Sequence, residues 1–251
     1  MIKQSSRLSQ ESRPKVIAAI PCFNTEHFIR DMVSNVRKYV DQVIVIDDGS
    51  DDGTAETAQA AGALVITHDQ NRGYGEAIKS CFETAIKHAA DVLVIIDGDG
   101  QHNPDETPRL LTPILKGEAD LIIGSRFLGN QISMPRYRKF GISVITWLFN
   151  LGSRTKVSDG QSGFRAYSKK TFDISPFFEK GMSISIETLE KARRKGSIIK
   201  EVPISCRYAP STLSLKTIRH GLNVALSVIR IRLKSSLPSF VGGKIARNQS
   251  L

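Results

Sequence analysis

Cysteine is scarce in this chain of 251 residues: Cys22, Cys81 and Cys206 are the only three. They are odd in number, widely spaced and form no C-x-x-C pair. That pattern argues against a disulfide framework and against a zinc site, and it fits a reducing cytosol. Long apolar runs are missing too. Nothing approaches the ~20 residues that a membrane-spanning helix requires, and the opening MIKQSSRLSQESRPK lacks the apolar core of a secretory signal. The expectation is a soluble or membrane-peripheral protein. Acidic residues are rare after residue 120: residues 121–251 carry 23 Lys/Arg and 6 Asp/Glu, whereas residues 1–120 carry 12 and 19. The net charge of +10 therefore hides an acidic first half and a strongly basic second half. A basic half of this kind predicts polyanionic partners: phosphates, nucleic acid or an anionic membrane surface. The five histidines suggest no Ser/His/Asp or Cys/His set, and there is no internal repeat.

What is present is alternation. Short, β-branched apolar runs occupy residues 16–20, 43–46, 64–67, 92–96 and 121–123, nearly continuous as in strands covered on both faces. Between them, residues 26–39, 53–61, 75–89 and 104–116 have helical spacing, with Thr54 and Asn103-Pro104-Asp105 as start signals. Strand–helix alternation implies right-handed crossovers and a mostly parallel sheet, in which ligands sit beyond the carboxyl ends of the strands. Later residues predict an apolar stretch over 141–152, a strand over 162–167, a helix over 183–195, a strand over 198–203 and a basic amphipathic helix over 218–237 with Arg219, Arg230, Arg232 and Lys234. The expected organisation is a flexible tail over 1–14, one α/β domain over 15–212, a basic amphipathic helix within 213–240 and a disordered tail over 241–251.

Each of the five predicted strand ends is polar and rich in turn formers. The sharpest is Asp97-Gly98-Asp99-Gly100-Gln101, which ends an apolar strand with three oxygen-bearing side chains on one tight turn. Hard cations such as Mg²⁺ and Mn²⁺ favour such oxygens, and few protein ligands leave room for a diphosphate. An EF-hand is excluded, because the sixth position from Asp97 is His102 and the twelfth from Asp48 is Gln59. The alternative is an Asx-type turn at a strand end. Asp47-Asp48 ends the neighbouring run, where a carboxylate could accept a hydrogen bond from a base or ribose. Glu26 opens a helix and could serve the dipole alone. Gly73-x-Gly75 lies too late for a dinucleotide fingerprint. Arg126, Arg165 and Arg207 sit at or beside predicted strands, and arginine's fork of donors suits phosphate.

In order, these motifs read P-x-F-N…E, D-D-G-S-x-D-G-T, N-x-G-x-G, D-x-D-x-Q-H, G-S-R, S-G-F-R-x-Y and E-V-P-I over roughly residues 15–221. The set resembles family 2 glycosyltransferases, and within them the dolichyl-phosphate mannose synthase branch with its polyprenyl-phosphate glucosyl- and N-acetylglucosaminyltransferases. The resemblance implies a GT-A-like, Rossmann-type fold and inversion at the anomeric carbon. It implies a nucleoside-diphosphate sugar donor (GDP-mannose, UDP-glucose or UDP-N-acetylglucosamine), a polyprenyl or dolichyl phosphate acceptor, and a peripheral place on the cytoplasmic face of a membrane, with no nucleic acid partner. Carried over, Pro21, Phe23, Glu26, Ile46 and Asp48 would line the nucleoside pocket. Asp97, Gly98, Asp99 and Gln101 would surround the diphosphate, with Asp97, Asp99 and Gln101 on a divalent metal, Mg²⁺ or Mn²⁺. Arg126 and Arg207 would hold phosphates, and Asp99, Arg126 and Arg207 would be the catalytic residues. The chain departs from the family in two places. One residue is inserted before Glu26, and Arg207-Tyr208-Ala209-Pro210-Ser211-Thr212-Leu213 lacks the R-x-x-G-x-S-K lysine, for which Lys216 is the remaining candidate. A transferase using a sugar hydroxyl as acceptor is the competing enzyme reading; it needs a base, with Glu187 or Asp159 as candidates. A non-catalytic basic module is the third.

Overall fold

The computed structural model describes residues 13–129, 134–153, 155–171, 177–179, 181–208 and 215–236. In chain order the elements are β1 (Val16–Cys22), α1 (Glu26–Val36), β2 (Gln42–Asp47), α2 (Thr54–Ala60), β3 (Leu64–Thr67), α3 (Tyr74–Lys87), β4 (Val92–Ile95), α4 (Thr107–Leu115), β5 (Leu121–Ser125), α5 (Arg136–Asn150), β6 (Arg165–Ser168), α6 (Ile184–Arg194), β7 (Ile199–Pro203) and α7 (Leu215–Ser236). The strands form one sheet in the order β3-β2-β1-β4-β6-β5-β7. Every pairing is parallel except those of β6, which runs antiparallel to β4 and to β5.

Continuous apolar runs are needed because the sheet is covered twice. Successive strand residues point to opposite faces, so Ile17, Ile44, Ile46, Leu93 and Ile95 enter one core while Val16, Ile20, Val45, Val92 and Val94 enter the other. The first core is closed by α3, α5, α6 and α7, through Phe82, Phe149, Leu189 and Val228 among others; the second by α1, α2 and α4, through Ile29, Val33, Ala58 and Leu110. Phe82 meets Tyr167 edge-on at 5.0 Å and Phe177 at 5.3 Å. Truncating such a buried ring to alanine costs about 3–5 kcal/mol.

The helix expected over 26–39 ends at Val36 and continues as a 3₁₀ turn, Arg37–Tyr39. Asn103 caps the 3₁₀ turn Pro104–Glu106 that leads into α4, its Oδ1 accepting the Asp105 N–H at 3.1 Å. The apolar stretch over 141–152 is the greater part of α5, which begins earlier at Arg136. The strand expected over 162–167 is shorter, and its reversed direction has a functional consequence. Arg165 pairs with Ile95 and with Ile123, so the segment entering β6 lies at the carboxyl ends of β4 and β5. The tail expected over 241–251, and most of that over 1–14, lie outside the described residues. No helix among the described residues is long and apolar enough to cross a membrane.

Candidate active site

A cavity of about 920 Å³ opens at the carboxyl edge of the sheet. The end of β1 contributes buried Pro21 and exposed Phe23; the end of β2 contributes Asp48. Asp48 is buried and held by the loop after β3. It accepts the Arg72 N–H at 3.0 Å and the Gly73 N–H at 2.7 Å, and pairs with His68 Nδ1 at 2.6 Å. His68 Nε2 in turn lies 2.9 Å from Ser80 Oγ. Gly73 has φ +90°, a conformation in which a side chain would be strained, and this lets the turn aim its N–H at the carboxylate. Asp48 thus anchors one cavity wall.

The turn Asp97–Gln101 forms the floor. Asp97 Oδ1 accepts the Tyr74 hydroxyl at 3.1 Å. Its carboxylate lies against Gly163, where any Cβ would come within 1.9 Å of Oδ2. Burial, then the neighbouring charge of Asp99, push the Asp97 carboxyl up to about 6. Burial also raises Asp99, whose oxygens accept the Gln101 main-chain N–H at 3.0 Å and the Gln101 side-chain amide at 2.7 Å. Gln101 therefore fixes Asp99. Two neighbouring carboxylates that burial and mutual repulsion destabilise as anions fit a divalent cation. Among the described residues no group of three His, Cys, Asp or Glu could hold a metal unaided, so the ligand's oxygens would have to complete the coordination. His102 behind the turn stacks near Phe164 at 5.6 Å, and burial, then Arg126, lower it to about 3, so it is neutral at physiological pH.

The third wall comes from β5 and its neighbours. Arg126 Nε and Nη2 grip Asp159 at 2.7 and 2.8 Å, and Nη1 donates to the Tyr208 hydroxyl at 3.1 Å. Burial pushes the Asp159 carboxyl up, but the hydrogen bonds and charge of Arg126 outweigh it and hold it below the ordinary carboxylate range. Glu201 on β7 accepts from Ser158 N–H at 2.7 Å and Asp159 N–H at 3.1 Å, fixing the segment that fixes Arg126.

Pro21, Phe23, Asp48, Asp97, Gly98, Asp99, Gln101 and Arg126 are thus brought together around one cavity. Other residues are not. Ile46 lies wholly inside the core. Glu26 faces the β2–α2 loop, accepting the Gly53 N–H at 3.3 Å. Arg207 is exposed on the far side of the carboxylate turn, beside a smaller cavity of about 580 Å³, with its N–H on the Gln101 carbonyl at 2.8 Å. Arg165, read with the anion-binding arginines, is 2% exposed and donates to the carbonyls of Ser162, Ser185 and Gly160 at 2.7–2.8 Å, so it staples the entry of β6. Glu187 caps the chain at Phe178 and Glu179 and pairs with Lys191 at 3.0 Å. Sequence reasoning missed Tyr74, Gln161, Gly163 as a contact of Asp97, and Tyr208. Tyr74 lies within N-x-G-x-G and Gln161 directly precedes S-G-F-R, so proximity to a motif was the available signal.

The outer wall is apolar and helical: Phe140, Val144 and Ile145 from α5, and Leu222 and Ala225 from α7. Each helix also carries an exposed stripe at the same i, i+4, i+7, i+11 spacing. On α5 it is Phe140, Val144 and Trp147, continued by Leu151 just past the helix end; on α7 it is Leu222, Leu226, Ile229 and Leu233. Both stripes begin at the cavity mouth, and Arg232 bonds the Leu151 carbonyl at the other end, so the two helices run side by side in the same direction.

A mostly parallel seven-stranded sheet with one reversed strand and a carboxylate turn in a cavity at its carboxyl edge defines a GT-A-like α/β protein. Residues 17–174 match the family described as Glycosyl transferase family 2, and the chain belongs to that family. It is 31% identical over 223 residues to the UDP-N-acetylglucosamine–dolichyl-phosphate N-acetylglucosaminyltransferase of Methanococcus voltae, covering 79% of this chain and 88% of that one. To the undecaprenyl-phosphate mannosyltransferase of Micrococcus luteus it is 30% identical over 207 residues, covering 76% and 83%. Among solved structures, glucosyl-3-phosphoglycerate synthase from Mycobacterium tuberculosis, in complex with Mn²⁺ and UDP-glucose, is similar at a TM-score of 0.67 and 25% identity, covering 88% of this chain and 78% of that one. The family and fold expected from the ordered motifs are borne out.

Proposed function

We propose that the chain is an inverting glycosyltransferase that moves a hexosyl unit from a nucleoside-diphosphate sugar to a polyprenyl or dolichyl phosphate. The observation that carries this reading is a cavity with two unlike walls: carboxylates and an arginine on the sheet side, an apolar helical wall on the other. The first suits a nucleoside diphosphate and the second a lipid. The family and the names of its relatives support the same assignment.

In this reading Phe23 offers an exposed ring to the base and Asp48 an acceptor edge. Asp97 and Asp99 hold a divalent cation, Mg²⁺ or Mn²⁺, with Gln101 keeping Asp99 in place. When bound there, such a cation would supply charge neutralisation for a departing diphosphate. Arg126, aligned by Asp159, stabilises the same developing charge from the opposite side. The nucleophile is an oxygen of the lipid phosphate, whose second pKa of about 6 makes it largely dianionic at neutral pH. It needs no general base. A sugar hydroxyl would need one, and both suggested bases are engaged: Asp159 with Arg126, and Glu187 with Lys191 and two main-chain N–H groups.

The paired stripes of α5 and α7 lie on the membrane, each spanning about 16 Å at 1.5 Å per residue. Exposed Arg136, Lys139 and Arg230 meet anionic headgroups, placing the protein peripherally on the cytoplasmic leaflet. The decisive assay incubates purified protein with Mn²⁺ and radiolabelled GDP-mannose, UDP-glucose or UDP-N-acetylglucosamine, with and without polyprenyl phosphate. Label should enter the organic phase only when the lipid is present. Transfer to a soluble glycan or a soluble phosphorylated acceptor instead would refute the lipid assignment.

A further inference from the structure

Tyr74 is a cavity residue that the proposed reaction leaves without a role. It opens α3 directly after Gly73, lines the cavity half-buried, and donates its hydroxyl to Oδ1 of Asp97 at 3.1 Å. Its place is set from two sides, neither of which involves Asp97. The Arg72 and Gly73 N–H groups fasten the preceding turn to Asp48 at the end of β2, and the Tyr74 ring packs against the core on the α3 side of the sheet. In the sheet order β1 lies between β2 and β4, so the turn and its tyrosine bridge the ends of two strands that are not neighbours. The hydroxyl is therefore a fixed point against which the Asp97 carboxylate is set.

A carboxylate so placed keeps one orientation. Oδ1 takes the phenol, and the Gly163 main chain stands so close that a Cβ there would lie 1.9 Å from Oδ2. What separates the phenol from other donors is that it is neutral. An arginine or lysine would hold the carboxylate equally well but would cancel the charge that a cation needs. The nearby guanidinium groups are committed elsewhere: Arg126 grips Asp159, and Arg165 is spent on three carbonyls. Resting on the glycosyltransferase reading above, we propose that Tyr74 is a positioning residue. It holds Asp97 in the orientation in which that carboxylate takes a divalent cation together with the donor diphosphate, and it leaves the carboxylate's charge intact. Groups that hydrogen-bond a metal ligand from behind set the affinity of the site, and losing one costs about 10–100-fold.

The test measures binding and needs no turnover. UDP and GDP are titrated calorimetrically into wild type and Tyr74→Phe, once with Mn²⁺ and once with EDTA, beside a thermal melt of each protein. Tyr74→Phe removes the hydroxyl and keeps the ring. Wild type should bind its nucleotide more tightly with Mn²⁺ than with EDTA. In Tyr74→Phe that advantage should shrink by about tenfold or vanish, while the affinity in EDTA stays at the wild-type value. Gly163→Ala, which displaces the same carboxylate from its other contact, should show the same selective loss, and it decides alone should Tyr74→Phe fail to melt cooperatively. A metal advantage left intact overturns the proposal, as does an equal loss with and without Mn²⁺, which would make Tyr74 a plain wall of the cavity. A wild type that binds nucleotide equally with and without Mn²⁺ overturns the placement of a cation at this turn, and the proposal with it. One that binds neither nucleotide overturns the glycosyltransferase reading itself.

Discussion

Alanine at Gly163 would place a methyl group 1.9 Å from Oδ2 of Asp97, 2.5 Å from its Cγ and 2.7 Å from Oδ1. Ordinary van der Waals contact begins near 3.4 Å, so the carboxylate must retreat by about 1.5 Å. Retreat is obstructed, because Asp97 is partly buried and held by the Tyr74 hydroxyl at 3.1 Å. Gly163 is not among the glycines with positive φ, so its backbone does not oppose alanine. The perturbation should therefore fall on the position of one oxygen pair. A misplacement of about 1 Å in catalytic geometry can cost about 10²-fold, and Gly163→Ala should lower kcat/KM for glycosyl transfer by at least that factor. The assay is label transfer to polyprenyl phosphate under saturating Mn²⁺, run beside a thermal melt to show that the fold persists. A variant retaining turnover within about threefold of wild type would refute the placement of Asp97 at the reacting diphosphate.

Chelation by EDTA should abolish transfer, and added Mn²⁺ or Mg²⁺ should restore it; Asp99→Ala should not be restorable, as metal titrations of activity would show. Asp159→Asn leaves the largely buried Arg126 guanidinium without its carboxylate partner and should destabilise the fold by up to about 3 kcal/mol in denaturant unfolding at neutral pH. Because Arg126 holds the folded Asp159 below its unfolded pKa of about 3.9, that contribution is complete above about pH 4 and is lost as pH falls through the folded value. The gap between wild type and Asp159→Asn should therefore close on acidification, and a gap that widened would contradict the ion pair. Trp147, the single tryptophan of the chain, is 60% exposed on the α5 stripe. Its emission should shift to the blue on vesicles rich in anionic lipid and stay unchanged on neutral ones, and Leu226→Ser with Leu233→Ser should weaken vesicle binding without altering nucleotide affinity.

The sequence by itself determined the layered α/β plan and the donor half of the site. Strands covered on both faces need unbroken apolar runs, and a carboxylate turn ending such a run has few structural uses, so residues 92–101 announce both the buried strand and the chemistry at its end. Family membership was legible for the same local reason: the motifs are short, and their order is preserved. Tertiary structure decided what depends on pairing between distant segments. That β6 enters in reverse, bringing Gly163 and Gln161 to Asp97, follows from its register with β4 and β5, which no local pattern encodes. The arginines look alike in sequence, yet burial and partners separate them: Arg126 reaches the cavity, Arg165 is spent on three carbonyls, and Arg207 stands outside. Asp159 and Glu187 lose their standing as bases in the same way, since a carboxylate's chemistry is set by the groups folded against it.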